Sequence, residues 1–258
     1  MALGVVPVAG AQSLPSTTDA TPVPGTVSGT TFGTSGLPLP GVSLWMETEL
    51  VAGRPGRAVS DADGRYLVTD LSPYNVYSAH ARYPVEYAGR SWCLRLAPRD
   101  WGDDAVSSGS EGVVRDFDWR LSGPVDGATT PPTEDGAWWG GTVRLFPDFS
   151  DGVYDRVIEL TFEPTGPLVD GSTGATVVRT VDLADTVFVF DIPLGTYHVT
   201  ASIVEPDGGR TPLLVAQSDD PPVASAAFEF EPEDWYGDCA GSSWGTGIAR
   251  AFLDVVLP

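Results

Sequence analysis

The chain has no lysine, and all 14 of its basic residues are arginine. That excludes Schiff-base chemistry, a P-loop lysine and any lysine-based isopeptide crosslink. Two cysteines and two histidines cannot supply a four-ligand structural zinc site of recognisable spacing. Against the few arginines stand 35 acids, for a net charge of −21. Such a chain is repelled by nucleic acid and by anionic membrane, because it cannot neutralise phosphates. No run of 18 apolar residues occurs, so no transmembrane helix is expected. Helix signals are nearly absent. There is no shortage of core material, since 42% of the residues are hydrophobic, enough for one or two buried cores.

The chain opens on small apolar residues that end in Ala9-Gly10-Ala11, an A-x-A pattern with cleavage expected before Gln12. This reads as the tail of a secretion signal. Residues 12–26 are rich in Ser, Thr and Pro and read as a flexible leader. The expected location is extracellular, cell-surface or periplasmic. In that compartment Cys93 and Cys239 are expected to pair; the other reading is two unpaired thiols. A bridge across 146 positions would tie the two halves together.

What fills the chain is period-2 alternation. Ile158, Leu160 and Phe162 alternate with Glu159, Thr161 and Glu163, and Tyr197 to Ile203 alternates without a break. Each run buries one face of a strand and wets the other. The runs recur every 8 to 15 residues between Gly, Pro and Asp clusters. That spacing predicts an all-β fold of two tandem antiparallel β-sandwiches, Ig-like in outline. A Pro/Gly/Thr-rich break over 123–137 separates sandwich 27–122 from sandwich 138–258. Residues 25–124 carry 9 arginines against 12 acids, whereas residues 138–258 carry 5 against 19.

The halves repeat one another. Asp70-Leu71-Ser-Pro73-Tyr-Asn75-Val-Tyr77 aligns with Asp191-Ile192-Pro193-Leu-Gly195-Thr-Tyr197 with one inserted residue. Pro98 to Trp101 aligns with Pro232 to Trp235, and Gly112 to Phe117 with Gly247 to Phe252. Three matches in one order indicate a duplication. Asn75 falls where Gly195 falls, which predicts a left-handed turn position at both.

Ser60-Asp61-Ala62-Asp63-Gly64-Arg65-Tyr66 reads as a tight turn, with Asp61 accepting backbone N–H groups and Gly64 taking positive φ. With Pro38-Leu39-Pro40-Gly41-Val42 before it and Leu71 to Tyr77 after it, this segment resembles the carboxypeptidase regulatory-like family. The resemblance covers roughly residues 37–82 and departs at Asn75, where the family usually has Gly. It implies a seven-stranded, non-catalytic, transthyretin-like sandwich, an accessory or adhesive unit of secreted proteins. The second half is a degenerate copy, with Leu183-Ala-Asp185-Thr186 where the Asp-x-Asp-Gly turn would be.

Candidate chemistry is sparse. Gly241-Ser-Ser243-Trp-Gly245 matches the nucleophile-elbow pattern, but no histidine follows and no helix is expected, so it reads as a loop. His80 and His198 lack a catalytic partner in sequence and read as satisfied or solvent-facing. Asp100, Asp103 and Asp104 surround Trp101, and Asp234 and Asp238 surround Trp235. These are candidate ligands for a weakly bound calcium ion; turn capping and surface solvation are the alternative. Eight tryptophans are many for this length. Trp45, Trp92 and Trp119 lie in strand-like runs and read as core. Trp101, Trp138, Trp139 and Trp235 are candidates for a carbohydrate platform, or for packing at the junction between the halves. Two functions compete: a non-enzymatic secreted or surface module acting through its faces on protein or polysaccharide, and a carbohydrate-binding module using exposed tryptophan.

Overall fold

The computed structural model describes residues 22–48, 56–99, 105–107, 112–125, 137–147, 152–217, 220–233, 239 and 245–258. Among them the fold is all-β, with no helix. The first half contains β1 (Val27–Phe32), β2 (Ser43–Glu47), β3 (Gly56–Val59), β4 (Arg65–Val68), β5 (Val76–Tyr87), β6 (Arg90–Arg95), β7 (Ala97–Pro98), β8 (Ala105–Ser107), β9 (Val113–Val114) and β10 (Phe117–Asp118). The second contains β11 (Gly141–Pro147), β12 (Val157–Pro164), β13 (Val177–Asp182), β14 (Phe188–Ile192), β15 (Thr196–Val204), β16 (Arg210–Gln217), β17 (Ala226–Glu229) and β18 (Ala251–Val256).

One sheet of the first half has the order β4-β1-β10-β7, with β9 also on β1; the other has the order β3-β2-β5-β6, with β8 on β5. The second half repeats every one of these pairings. Strand β11 pairs with β14 and β18 as β1 pairs with β4 and with β9 and β10. Strand β12 pairs with β13 and β15 as β2 pairs with β3 and β5. Strand β17 sits on β15 as β8 sits on β5. Strand β16 pairs with β15 through Arg210 to Leu213, then crosses to β18 through Leu214 to Gln217. In the first half the same crossing is made by two pieces, β6 on β5 and β7 on β10. The sandwiches are antiparallel except at one place in each: the first strand runs parallel to the last. Local periodicity cannot show this, because it joins segments some 85 to 110 residues apart.

Alternation becomes burial as expected. Ile158, Leu160 and Phe162 are completely buried, as are Val143, Val199 and Val255. Phe162 meets Tyr197 and Phe228 edge-on at 5.9 and 5.5 Å, and Phe228 meets Phe230 at 5.1 Å. Each such contact adds about 1 kcal/mol beyond the area it buries.

The turns account for the sequence repeats. Asp61 accepts the N–H groups of Asp63 and Arg65, both at 2.9 Å, and Gly64 has φ of +71°. Tyr197 donates its hydroxyl proton to the Pro193 carbonyl at 2.6 Å, and the aligned Tyr77 accepts the Ser72 N–H at 2.8 Å. Each tyrosine thus pins the corner through which the chain enters β5 or β15. The left-handed residues of these corners are not Asn75 and Gly195, as the alignment suggests, but Asp70 and Asp191, with φ of +62° and +61°. Gly195 is small for a different reason: a Cβ there would sit 2.9 Å from Leu168 Cδ2 and 3.0 Å from the Tyr197 ring.

Candidate functional site

Most of the predicted site residues lie outside the described residues: Trp101 and Trp235, the candidate calcium ligands Asp100, Asp103, Asp104, Asp234 and Asp238, and Ser243 of the elbow-like loop. Among the described residues, no group of three or more His, Cys, Asp or Glu side chains is placed to hold a metal ion. A hollow of about 280 Å³ lies along β2 and β3, lined by Ser43, Leu44, Trp45, Arg57, Ala58 and Val59. It brings no base to Ser43 and no pair of carboxylates, so it offers no acid–base or nucleophilic constellation.

The structure concentrates its unusual chemistry at the junction of the two halves. Cys93 on β6 forms a disulfide with Cys239, with the Cα atoms 5.3 Å apart. Along β5 and β6 the outward residues are His80, Arg82, Cys93 and Arg95, while Ala79, Ala81, Trp92 and Leu94 face the core. An outward face should be wet, yet Arg82 is only 3% exposed and His80 only 4%. The segment leading into β18 lies over this face. Arg82 donates to the Gly245 carbonyl at 2.7 Å and to the Cys93 carbonyl at 2.9 Å. The Arg95 N–H donates to the Thr246 carbonyl at 3.0 Å. Burial pulls the Arg82 guanidinium down to about 10, with Glu233 opposing and Arg95 reinforcing the shift; it is still charged at neutral pH. Gly247 has φ of +91°, and a Cβ there would lie 2.0 Å from the Cys93 carbonyl oxygen. Only glycine permits this approach.

His80 is a buried residue here, not a solvent-facing one. Its ring stacks on Trp45 at 5.1 Å, and Nε2 is 3.4 Å from the Glu47 carboxylate. His198 is exposed, as expected. Trp45, Trp92 and Trp119 are buried, as their strand positions suggest, although Trp45 lies on the outward face of β2.

A second set of contacts comes from the tip of the β5–β6 hairpin. Its two-residue loop, Ala88-Gly89, has φ of +50° and +74°, the signature of a type I′ turn. Arg90 beside it donates to the Phe230 carbonyl at 2.7 Å and pairs with Glu229 at 2.8 Å and Glu231 at 3.4 Å. The Tyr87 hydroxyl donates to the Pro167 carbonyl at 2.8 Å, and the Thr34 hydroxyl to Asp170 at 2.7 Å. Asp170 also accepts from Ser172, and these hydrogen bonds outweigh its burial and hold its carboxyl below the usual carboxylate value.

The third set surrounds the 123–137 break, whose ends are paired with each other. Val125 N–H donates to the Ala137 carbonyl and Trp139 N–H to the Gly123 carbonyl, both at 2.8 Å. Asp191 Oδ1 accepts the N–H of Gly123 at 2.8 Å and of Gly140 at 3.3 Å. Burial raises the Asp191 carboxyl above its ordinary 3.8 despite these hydrogen bonds and despite Arg179.

Trp139 belongs to this junction, which corrects the carbohydrate reading for that residue. It is 2% exposed, with the Arg95 guanidinium 5.5 Å above its ring. A ring enclosed in this way cannot stack on a sugar. It lines a cavity of about 10 Å³ with Leu94, Trp119, Val169, Leu194 and Ile248, room for about one water molecule. Trp138, its neighbour, is half-buried and stacks on Phe190 at 6.4 Å with ring planes 20° apart. Sequence reasoning missed Arg82, Arg90 and Asp191. The available signal was an arginine at an outward strand position in a chain that has few cations.

No family model matches the chain, and no curated protein matches it. Among solved structures it is similar to the Bacillus anthracis TIE protein, at 13% identity and a TM-score of 0.34, over 90% of this chain and 33% of that one. The chain thus spans about a third of that protein's length. It is also similar to a streptococcal ancillary pilin, at 11% identity and a TM-score of 0.24, over 90% of this chain and 69% of that one. A variant of the shaft pilin spaA from Lactobacillus rhamnosus GG is 10% identical with a TM-score of 0.22, over 93% of this chain and 99% of that one. Likenesses at these TM-scores carry no weight for fold or function, which rest on the geometry above.

Proposed function

We propose that this chain is a non-enzymatic structural module of a secreted or cell-surface protein, in which two transthyretin-like sandwiches are locked into one stiff body. The observation that carries this reading is the junction. A disulfide, a buried and a half-buried arginine donating across it, and a break whose ends are tied down all join elements that would otherwise be separate sandwiches. Two sandwiches on a free tether need none of this. A disulfide that closes 146 residues also fits an oxidising compartment. Arg82, Arg90 and Asp191 each hold the junction through these hydrogen bonds. The family assignment rests on the Ser60–Tyr66 turn and its flanks.

Small-angle scattering of the intact protein tests the stiffness. The expected result is one radius of gyration from low to high salt, with a broadened distance distribution once the bridge is removed by Cys93→Ser and Cys239→Ser. A wild-type profile that already requires an ensemble of separations between two lobes would sink the reading. Thiol labelling of protein taken from the producing cells tests the location: two labelled cysteines in the native protein would contradict an oxidising compartment.

A further inference from the structure

The outer face of β14, β11 and β18 carries aromatic rings that the fold does not need. Trp138 stacks on Phe190, and Phe190 on Phe188 at 6.0 Å with planes 26° apart. Across the sheet Phe146 meets Phe252 at 5.7 Å. Arg144 joins the two groups, its guanidinium 5.0 Å from the Phe146 centroid and 5.9 Å from that of Phe188. Arg250 lies 5.2 Å from Phe188. Phe146 and Phe252 are 41% and 44% exposed, and Phe188 and Phe190 are half-buried. The Arg144 Nε–H is buried and has no hydrogen-bond acceptor among the described residues.

The first half serves as an internal control. Its matching sheet has Ser28 and Thr30 outward on β1, opposite Leu67 and Arg65 on β4. Arg99 there also lies over a ring, Phe32, at 3.7 Å, but it is held by the Asp118 carboxylate at 2.7 Å. The same pairing of strands therefore forms with serine, threonine and leucine outward and a neutralised arginine. Aromatic rings gathered on a solvent-facing sheet without a folding role mark an interaction surface.

We propose that this face binds a neutral polysaccharide, with the apolar faces of its sugars packed on the exposed rings and its hydroxyls accepting from Arg144. Charge selects the partner. A net charge of −21 opposes a polyanion at long range, and the Arg144 guanidinium opposes a basic partner at short range. A neutral polyhydroxylated chain meets neither obstacle, and its hydroxyls can accept from the outer N–H groups of the Arg144 guanidinium. This site is independent of the stiffness of the junction and stands or falls apart from it.

The test is affinity electrophoresis of the intact protein through gels cast with dextran, laminarin, galactomannan or polygalacturonate. At least one neutral polymer should retard the protein, and Phe252→Ser and Arg144→Gln should each weaken that retardation about tenfold or more. Leu67→Ser, on the matching face of the first half, should leave it unchanged. Thermal melts confirm that the variants fold; both substituted side chains lie on the solvent-facing side of the sheet, so the fold should persist. No retardation in any neutral gel, retardation by polygalacturonate alone, or full binding by folded Phe252→Ser and Arg144→Gln would each overturn the proposal. Concentration-dependent dimers in light scattering that vanish in Phe252→Ser would also overturn it, by assigning the face to a second copy of the chain.

Discussion

Asp191 allows the energetics of the junction to be separated by three substitutions at one position. Its backbone is left-handed at +61°, its Oδ1 accepts two N–H groups from the break at 2.8 and 3.3 Å, and its side chain is largely buried. Alanine would lose both hydrogen bonds and would also sit in a conformation that costs about 1 kcal/mol for a residue with a Cβ. The shorter bond, left as a buried unsatisfied donor, costs about 1–2 kcal/mol, and the longer one less. Asp191→Ala is therefore expected to lose about 3 kcal/mol. Glycine removes the backbone strain but not the loss of acceptor, so Asp191→Gly should lose about 2 kcal/mol. Asparagine keeps an acceptor oxygen and tolerates the left-handed region, and it sheds a charge that burial disfavours, so Asp191→Asn should stay within about 1 kcal/mol of wild type. Urea unfolding measures all three. The pH dependence adds a sign. Because the folded carboxyl titrates above 3.8, the folded state binds more protons than the unfolded state between 3.8 and that raised value. Wild-type stability then falls as pH rises through this window, relative to Asp191→Asn. The advantage of Asp191→Asn should therefore grow from pH 3.8 upward and level off. Equal losses in the alanine and asparagine variants, or an advantage that ignores pH, would refute this account of the turn.

Two further outcomes follow from the junction. Replacing Cys93 and Cys239 with serine removes a crosslink that spans 146 residues, worth up to ~5 kcal/mol by loop-closure entropy. Differential scanning calorimetry should show the double variant melting at a lower temperature; a transition at the wild-type temperature would contradict a stabilising bridge. Ala88 adopts φ of +50° at the tip of the β5–β6 hairpin. Ala88→Gly should raise stability by about 1 kcal/mol, and a lowered melting temperature would mean that the Cβ makes a contact worth more than the strain.

Features visible in the sequence are those that depend on neighbours along the chain. Alternation located β12 and β15, and the Asp61–Gly64 turn was readable because its acceptor and donors lie within four residues of one another. The Cys93–Cys239 pair was readable from compartment and count. Other features depend on which strands lie side by side. Phe146, Phe188 and Phe252 occupy three distant segments, and they meet because β11 lies between β14 and β18 with Arg144 opposite both Phe188 and Phe252. For Trp139, beside the break, the sequence left a carbohydrate platform and packing at the junction both open, and the structure selects the junction. The tied ends of that break turn it inward. The repeat alignment found the correct corner but the wrong residue. It followed the glycine preference for positive φ, whereas aspartate at 70 and 191 takes that conformation at both corners.

The junction also explains why two copies of one topology differ in their outer faces. Tyr77 aligns with Tyr197, so His80 and Arg82 on β5 correspond to Thr200 and Ser202 on β15. The first pair is buried, and Arg82 reaches across to the second half. Thr200 is exposed and Ser202 half-exposed, with His198 beside them also exposed. Were the two faces interchangeable, the contact would be head-to-tail and would repeat onto any further copy. Short hydroxyl side chains cannot reproduce a buried guanidinium that donates to two carbonyls, nor does β16 carry a cysteine where β6 has Cys93. The β15–β16 face is therefore exposed where the β5–β6 face is covered. The asymmetry lies in side chains that the strand pairing leaves free to vary. Placing arginine at 202 and histidine at 200 should leave the second sandwich folded while making its outer face more prone to association, a change that sedimentation velocity would detect.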